Sequence, residues 1–237
     1  SIFNTFIKMK KIVVFTGAGI SAESGLSTFR DNGGLWDNYD INEVATPEAW
    51  HANPKLVLDF YNMRRQNAFD AKPNIAHKTI ANLETYFDVH VITQNIDNLH
   101  ERAGSSKVVH LHGNIAFAKS SGPSQEKKYY PLTDWELKKT NLCDDGYRLR
   151  PHVVWFGEEV PMMTTAQKVI ESADYFIVIG TSLEVYPAAG LIHFAYNAKK
   201  RIIIDPNAES MNLPSDFIRI NQTATLGVKK AKEILID

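Results

Sequence analysis

Residues 12–30 read IVVFTGAGISAESGLSTFR, an apolar run that ends in a glycine-rich turn. A buried strand that runs into such a turn and then opens a helix presents backbone N–H groups to a phosphate. The spacing is neither the G-x-G-x-x-G of dehydrogenases nor a P-loop, and a tight strand-to-helix connection is the alternative interpretation. Phe29, Arg30 and Asp31 bring an aromatic ring, a cation and an acid to the mouth of this turn, which favours a ligand-binding role.

A second group of polar side chains follows the strand-like run VHVI at residues 89–92. Gln94, Asn95 and Asp97 stand directly after it, where open α/β sheets bind ligands. From the residues alone, Asp97 or Asn98 could instead cap the helix that follows. Three further segments read VVHLHG at residues 108–113, RPHVVWFGE at residues 150–158 and VIGTSLEVYPA at residues 178–188.

These motifs, in this order, resemble the sirtuins, which are NAD-dependent protein deacylases. The resemblance extends from about Lys10 to the C-terminus. It implies an enzyme that uses NAD as its cofactor and acylated lysines of proteins as its substrates. The acyl group would be transferred to ADP-ribose, and nicotinamide would be released.

Alternating strand and helix patterns predict an α/β fold, with a mostly parallel, Rossmann-like sheet covered by helices on both faces. The predicted strands are 11–15, 89–93, 108–111, 175–180 and 201–205, and the predicted helices are 74–86, 162–172, 188–197 and 225–235. Pro47 and Pro54 each open a further helix, because a first helical turn does not need the N–H that proline lacks.

We expect two domains. Residues 9–33, 73–113 and 150–237 form the large NAD-binding domain, and residues 34–72 and 114–149 form a small domain made of two insertions. The first insertion is a cofactor loop followed by a helical segment, and the second is a ribbon-like module.

The composition is that of an ordinary soluble globular protein, with 44% hydrophobic and 22% charged residues. A formal net charge of −1 indicates no basic surface for nucleic acid or for an anionic membrane. No apolar run approaches the roughly 20 residues that a membrane-spanning helix needs. We expect a monomeric, cytoplasmic protein that binds neither nucleic acid nor a membrane.

Cys143 is the single cysteine of the chain, and we expect it to be a bystander rather than a nucleophile. Most sirtuins carry a four-cysteine zinc ribbon before the Arg-Pro-His segment, and a structural zinc site needs four N or S ligands. Residues 114–149 contain no second cysteine and no histidine, so we predict no zinc. We expect apolar side chains to hold this module instead, namely Phe117, Tyr129, Tyr130, Leu132, Trp135, Leu137, Leu142 and Tyr147.

The resemblance also implies the NAD-binding residues. They are Gly17, Ala18, Gly19, Ala22, Phe29, Arg30, Gln94, Asn95, Ile96, Asp97, Gly180, Thr181, Ser182, Asn207 and Ala224. The glycine turn would take the pyrophosphate, Asp97 and the Ile96 backbone the nicotinamide carboxamide, and Gln94 and Asn95 the ribose hydroxyls. Asn207 would contact the adenosine ribose, the backbone at Ala224 the adenine, and Phe29 would cover the nicotinamide ribose.

His112 is the predicted catalytic base, with Asn95 as the second catalytic residue. A histidine with a pKa near 6.5 can accept a proton at neutral pH and return it. The resemblance implies that His112 deprotonates a ribose hydroxyl. We expect His110 and His90 to be structural.

Two segments resemble those between which sirtuins hold an extended peptide. Their predicted substrate-binding residues are Val154, Phe156, Gly157 and Glu158 in one segment and Glu184, Val185 and Tyr186 in the other. Main-chain pairing of this kind tolerates many sequences. Phe156 would lie along the acyl-lysine stem, whereas we expect Trp155 to be a core residue.

Tyr61 and Arg64 are three positions apart in a predicted helix and therefore share one face. A phenol and a guanidinium that converge on a pocket can hold a carboxylate. The pair resembles the one that marks sirtuins acting on succinyl- and malonyl-lysine, with deacetylation as an additional activity. The spacing turns Arg65 away from this pocket and predicts that it is solvated. The alternative is that such a pair is ordinary helix packing.

Three other functions are alternatives to deacylation. NAD glycohydrolysis or mono-ADP-ribosyl transfer would use the same cofactor pocket, but the peptide segments and the Tyr61/Arg64 pair argue against them. A nicotinamide oxidoreductase disagrees with the glycine spacing. A non-catalytic NAD sensor would have no need for His112.

Overall fold

The computed structural model describes residues 8–28 and 38–237 of the protein. Phe29 and Arg30, both expected at the cofactor, lie outside these ranges. The first part of the expected cofactor loop lies outside them as well.

The described residues form two sheets. The strands are β1 (Lys11–Thr16), β2 (Asp88–Thr93), β3 (Val108–His110), β4 (Gly113–Ser120), β5 (Tyr129–Pro131), β6 (Leu149–Val153), β7 (Tyr175–Ile179), β8 (Lys200–Ile204) and β9 (Phe217–Ile220). Six of them make a parallel sheet in the order β3-β2-β1-β7-β8-β9. The other three make a small antiparallel sheet in the order β5-β4-β6.

Helices flank both sheets. They are α1 (Gly19–Ala22), α2 (Ile41–Val44), α3 (Pro47–Ala52), α4 (Pro54–Asp70), α5 (Ile75–Asn82), α6 (Leu99–Arg102), α7 (Met163–Glu171) and α8 (Ala224–Ile236), with 3₁₀ turns at Leu83–Thr85, Ala188–Phe194 and Ala208–Ser210. Pro47 and Pro54 stand at the start of α3 and α4 as predicted. The side chains of Thr46 and Asn53 cap these two helices.

The large sheet is buried on both faces, which is why its strands read as continuous apolar runs. Ile12 and Val14 of β1 belong to a core that includes residues of α5 and α8. Val13 and Phe15 belong to the opposite core, with residues of α7 and of the 3₁₀ turn at Ala188–Phe194. The predicted α/β class, with a parallel Rossmann-like sheet and helices on both faces, is confirmed.

The small sheet packs on α4 and forms the small domain. Their shared core includes Trp50, Phe60, Tyr61, Ile115 and Trp155. The prediction that eight apolar side chains of residues 117–147 hold this module together was wrong in part, because Leu137 alone among them is fully buried. Four of its members are exposed, namely Tyr129, Trp135, Leu142 and Tyr147. Of these, Tyr129 lies on β5, the three-residue strand at the edge of this sheet, and the other three lie in the loops that follow it.

Three details differ from the sequence expectations. Strand β9 was missed, because Phe217–Ile220 is short and carries a charge within its apolar pattern. The segment expected as a helix over 188–197 is a shorter 3₁₀ turn. Strand β6 (Leu149–Val153) pairs with β4 across the expected domain boundary at residue 150, and the division into domains stays a prediction.

Within the described ranges, no helix is both long enough and apolar enough to cross a membrane.

Candidate active site

The candidate site lies at the carboxyl edge of the large sheet, where the strand order reverses between β1 and β7. The chain continues from β1 towards β2 on one side and from β7 towards β8 on the other. Such a reversal opens a crevice, and open α/β sheets bind ligands there. The turns that begin at Gly17, Gln94, Gly180 and Asp205 follow β1, β2, β7 and β8, so the fold brings the predicted cofactor residues to one edge.

Three glycines let the two central turns touch. The Gly17 N–H donates to the carbonyl oxygen of Ile179 at 3.0 Å, and the Gly19 N–H donates to that of Gly180 at 2.8 Å. A Cβ atom on Gly17 or on Gly19 would lie 2.7 Å from the nearest backbone atom of Gly180. Gly180 itself has a φ of +67°, in the left-handed region. Close backbone approach therefore requires glycine here.

Several N–H groups of the turn after β1 already donate hydrogen bonds to other backbone groups of the protein. Those of Gly17 and Gly19 bind the β7 turn, and those of Ile20 and Ser21 donate to Gly17 and Ala18. The helix that follows, α1, is only four residues long. Phosphate binding by Gly17, Ala18 and Gly19, and a contact from the exposed Ala22, stay predictions.

Asn95 and Asp97 are buried directly behind this turn. The Asn95 Nδ2 donates to the carbonyl oxygen of Gly17 at 3.0 Å. Asp97 accepts from the Ser21 hydroxyl at 2.9 Å and from the N–H of Leu99, the first residue of α6, at 3.0 Å, while the N-cap position of α6 is Asn98, whose side chain makes no cap bond. Burial raises the pKa of Asp97, although these two hydrogen bonds act against the shift. Ligand binding by Asn95 and Asp97 stays a prediction.

A buried histidine that the sequence reasoning missed lies behind Ser21. His77 Nδ1 accepts from the Asn74 N–H at 3.1 Å, so Nε2 carries the proton and faces the Ser21 hydroxyl at 3.4 Å. This arrangement directs the hydroxyl proton of Ser21 towards Asp97. Burial lowers the pKa of His77 to about 4, so His77 is neutral at pH 7. The Asn74-x-x-His77 spacing of a capping box was the available signal.

His112 is held in a defined tautomer. Its Nδ1 lies 3.1 Å from the carbonyl oxygen of Gln94, which can only accept, so Nδ1 carries the proton. The other ring nitrogen, Nε2, is then free of a proton and can act as a base. Burial lowers the pKa of His112, which favours this neutral form.

His110 has a different protonation state from His112, although the two residues are only two positions apart. Its Nδ1 lies 2.9 Å from the carbonyl oxygen of Asn95, and its Nε2 lies 2.9 Å from Glu101. Both partners are acceptors, so both ring nitrogens donate. Burial by itself lowers the pKa of His110, but the hydrogen bond and charge of Glu101 outweigh it and raise the pKa. His110 is thus a paired cation that holds the Asn95 loop.

The remaining predicted cofactor residues lie along the same edge. The Gln94 amide donates to the hydroxyl of buried Thr181 at 3.1 Å, which ties the β2 turn to the β7 turn. Ser182 and Asn207 are exposed at the ends of β7 and β8, and Ala224 is buried at the start of α8. Half-buried Ile96 accepts from the Ile115 N–H at 2.7 Å.

Tyr61 and Arg64 lie together on α4. The guanidinium carbon of Arg64 is 5.5 Å from the ring centroid of Tyr61 and 5.6 Å from that of Phe60. Burial lowers the pKa of Arg64, while Tyr61 and Asp97 act in the opposite direction. Burial likewise raises the pKa of Tyr61, against the influence of Arg64.

Arg65 is not solvated, contrary to expectation. It is the largest fully buried side chain among the described residues. Its guanidinium donates to the carbonyl oxygens of Ile115 at 2.7 Å and Trp135 at 3.0 Å, and to the Asn62 side chain at 2.7 Å. Helical spacing correctly turns Arg65 away from Arg64, but the small domain covers that face of α4.

The segment after β6 begins beside His112. The Val154 N–H donates to the carbonyl oxygen of His112 at 2.8 Å, and Phe156 is 45% exposed. Trp155 is buried, as expected. Glu158 binds Arg150 through two 2.9 Å hydrogen bonds and accepts from the Trp155 N–H at 2.8 Å. Glu158 therefore shapes its own loop, which includes Gly157 at a φ of +91°.

The second predicted peptide segment follows β7. Glu184 and Tyr186 are exposed, and Val185 is half-buried. The Val185 carbonyl oxygen accepts from the Ala189 N–H at 2.8 Å, which fixes the segment to the 3₁₀ turn that follows.

The ribbon-like module does not fit a zinc ion. In the part of the chain that the structure describes, no group of three or more His, Cys, Asp or Glu side chains could hold a metal. Cys143 is buried and donates to the carbonyl oxygen of Tyr147 at 3.0 Å. This sulfur is therefore part of the packing of the module.

Comparison with known proteins identifies the family. Residues 17–187 match the family model described as Sir2 family. A relative named NAD-dependent protein deacylase, from Bacteroides thetaiotaomicron, is 49% identical over 96% of this chain and 99% of its own length. A solved complex of a mutant Sir2 homologue with ADP-ribose has a TM-score of 0.86 and 36% identity, covering 96% of this chain and 94% of that chain.

A solved complex of a Sir2 homologue with NAD has a TM-score of 0.82 and 37% identity, covering 96% of this chain and 91% of that chain. The motifs, the strand order and these matches all agree, and the chain belongs to the Sir2 family.

Proposed function

We propose that this protein is an NAD-dependent protein lysine deacylase that prefers acyl groups ending in a carboxylate, such as succinyl and malonyl. The observation that carries the deacylase assignment is a neutral, tautomerically fixed His112 at the same sheet edge as Asn95 and Asp97. A general base, an amide and a carboxyl group are thereby collected in one crevice. Desuccinylation and demalonylation are the finer part of the proposal.

The residues at this edge fit NAD. Close packing at Gly17, Gly19 and Gly180 brings the backbones of the two central turns together at this edge. Asn95 and Asp97 offer both a donor and an acceptor, which a carboxamide needs. When bound, NAD supplies the ADP-ribose group that accepts the acyl chain as nicotinamide leaves.

His112 would act as the base. The Gln94 carbonyl holds the proton on Nδ1, so Nε2 can take a proton from a sugar hydroxyl placed against it. Its lowered pKa keeps the ring neutral at pH 7, which a general base requires. The same ring can later return that proton.

The substrate peptide would lie between the segment after β6 and the segment after β7. The first is anchored to the His112 carbonyl through Val154, so a peptide held there passes close to the base. Pairing through main-chain groups supports a broad range of protein substrates. Exposed Phe156 would lie along the acyl-lysine stem.

Tyr61 and Arg64 support the carboxylate preference. Arg64 is half-buried and lies beside Tyr61 on α4, and in this proposal the pair would face the end of the acyl chain. A guanidinium that has lost part of its hydration gains more from an incoming carboxylate than one in bulk water does. A neutral acetyl group would gain nothing from that charge.

The test is NAD-dependent turnover of matched acetyl-lysine and succinyl-lysine peptides, with products identified by mass spectrometry. A higher kcat/KM for the succinyl peptide is expected. A higher value for the acetyl peptide would retain the deacylase assignment and overturn the carboxylate preference. Cleavage of NAD without deacylation of either peptide would favour a glycohydrolase or ADP-ribosyltransferase instead.

A further inference from the structure

The connection between β8 and β9, residues 205–216, has little regular structure of its own. It joins two parallel strands, and its only regular element is the 3₁₀ turn at Ala208–Ser210. A connection this short leaves carbonyl oxygens without helix partners. Buried or half-buried backbone carbonyls need donors from elsewhere in the protein.

Arg219 supplies those donors. It lies on β9 opposite Ile203 of β8, and its side chain is half-buried. Its Nη1 donates to the carbonyl oxygens of Ala208 at 2.6 Å and Met211 at 2.7 Å. Longer contacts of 3.4 Å reach the carbonyl oxygens of Glu209 and Leu213. A guanidinium suits this task because it carries several donors in a rigid fork and no acceptor.

The turn that Arg219 holds begins at Asn207. The Asn207 N–H donates to the Asp205 side chain at 2.8 Å, and its carbonyl oxygen accepts from the Ser210 N–H and hydroxyl at 3.1 and 3.0 Å. Hydrogen bonds therefore fix the Asn207 backbone through both its N–H and its carbonyl group. Its exposed side chain projects from a turn whose next carbonyl, that of Ala208, is bound by Arg219.

We propose that Arg219 is a positioning residue for the adenosine end of NAD, acting through the turn that carries Asn207. This inference rests on the proposed NAD site, in which Asn207 contacts the adenosine ribose. Loss of the guanidinium frees the carbonyls of Ala208 and Met211, so the turn can move and Asn207 loses its fixed direction. The nicotinamide end, bounded by Asn95 and Asp97, stays intact.

Arg201 provides a matched control. It lies on the adjacent strand β8, donates to the carbonyl oxygen of Ala195 at 2.8 Å and pairs at 2.6 Å with exposed Asp216, which is the last residue of the connection and lies outside the turn that carries Asn207. It is thus also a half-buried arginine that anchors backbone, but it makes no contact with the carbonyls of 208–213 that bind Arg219. A comparison of three variants distinguishes positioning of the turn from a general loss of stability. They are Arg219→Met, Arg219→Lys and Arg201→Met.

The experiment measures the Kd of ADP-ribose by calorimetry, the inhibition constant of nicotinamide, and KM for NAD and for peptide in the full chain. We expect Arg219→Met to weaken ADP-ribose binding and raise KM for NAD by about tenfold. Nicotinamide inhibition and KM for peptide should change less than about twofold. Arg219→Lys should fall between wild type and Arg219→Met, and Arg201→Met should match wild type.

Two results would overturn the inference: equal weakening of ADP-ribose binding in Arg219→Met and Arg201→Met, or no weakening in Arg219→Met. Wild-type protein that fails to bind ADP-ribose would overturn it together with the NAD site. ADP-ribose binding that depends on Arg219, in a protein that deacylates no peptide, would support the inference while rejecting the proposed deacylase.

Discussion

His112 donates from Nδ1 to the carbonyl oxygen of Gln94 over 3.1 Å, while His110 donates to the next carbonyl, that of Asn95, over 2.9 Å. Two histidines of one segment are thus oriented by two consecutive backbone carbonyls. Only His110 has a carboxylate, Glu101, at its second nitrogen. Two histidines that are two residues apart are therefore in different states: His112 is neutral, and His110 is a paired cation.

Replacing His112 by alanine should reduce kcat by about 10²–10⁴-fold, the range of general base catalysis. ADP-ribose binding should remain, because the glycine turns and Asn207 are untouched. His90→Asn, which changes a histidine of β2 outside the site, is the control. Retention of more than about a tenth of the wild-type kcat in His112→Ala would reject the base assignment.

The pH profile should report the same residue. Burial lowers the pKa of His112 from its ordinary value of 6.5, so the protonated, inactive form appears only below that pH. We expect kcat/KM to fall on the acid side with a midpoint below 6.5. An acid limb with its midpoint above pH 7 would contradict a neutral His112.

Replacing Arg64 by methionine should lower kcat/KM for succinyl-lysine by about 10- to 100-fold, since a charge-assisted hydrogen bond contributes about 1.5–3 kcal/mol. The acetyl-lysine peptide is the internal control, and its kcat/KM should change less than about threefold. Equal losses of kcat/KM on both peptides would indicate that the Tyr61/Arg64 pair contributes to helix packing and not to recognition of the acyl carboxylate.

His77 should make stability depend on pH. Its pKa is lowered to about 4 in the fold, so its contribution is intact above pH 6.5 and is lost as the pH falls from 6.5 towards 4. The full shift corresponds to about 3 kcal/mol. His77→Gln preserves a capping side chain that does not titrate. Its melting temperature should therefore fall less between pH 7 and pH 4 than that of wild type, and equal declines would exclude this role.

Replacing Gly180 by alanine should destabilise the fold by more than the same change at Gly146. Both glycines have positive φ, +67° and +82°. A Cβ on Gly180 would lie 2.4 Å from the Ile20 nitrogen, whereas one on Gly146 would meet nothing within 4 Å. We expect Gly146→Ala to cost about 1–2 kcal/mol for its backbone conformation alone. Urea unfolding that gives equal losses for both variants would reject close approach as the reason for Gly180.

Much of the site was predictable because its residues follow strands that are recognisable as apolar runs. The runs before Gly17, Gln94 and Gly180 indicated β1, β2 and β7, and parallel strands end at one edge of a sheet. Strand β9 was not recognisable, since Phe217–Ile220 is short and contains Arg219. The positioning role of Arg219 was hidden with it, because no sequence pattern indicates which carbonyls a connection leaves unpaired.

The sequence by itself determined the α/β class, the glycine turns and the order of the motifs, and the resemblance that these motifs carry led to the prediction of His112 as the base. Those features depend on local periodicity, on backbone conformation and on the kind of side chain, and all three can be inferred from short stretches of sequence. Only the tertiary structure decided that Arg65 is buried, that His77 supports Ser21 and that His110 is charged while His112 is neutral. The burial of a side chain and its hydrogen-bond partners depend on which other segments pack against it. Those segments are far away in the sequence, so local patterns do not reveal them.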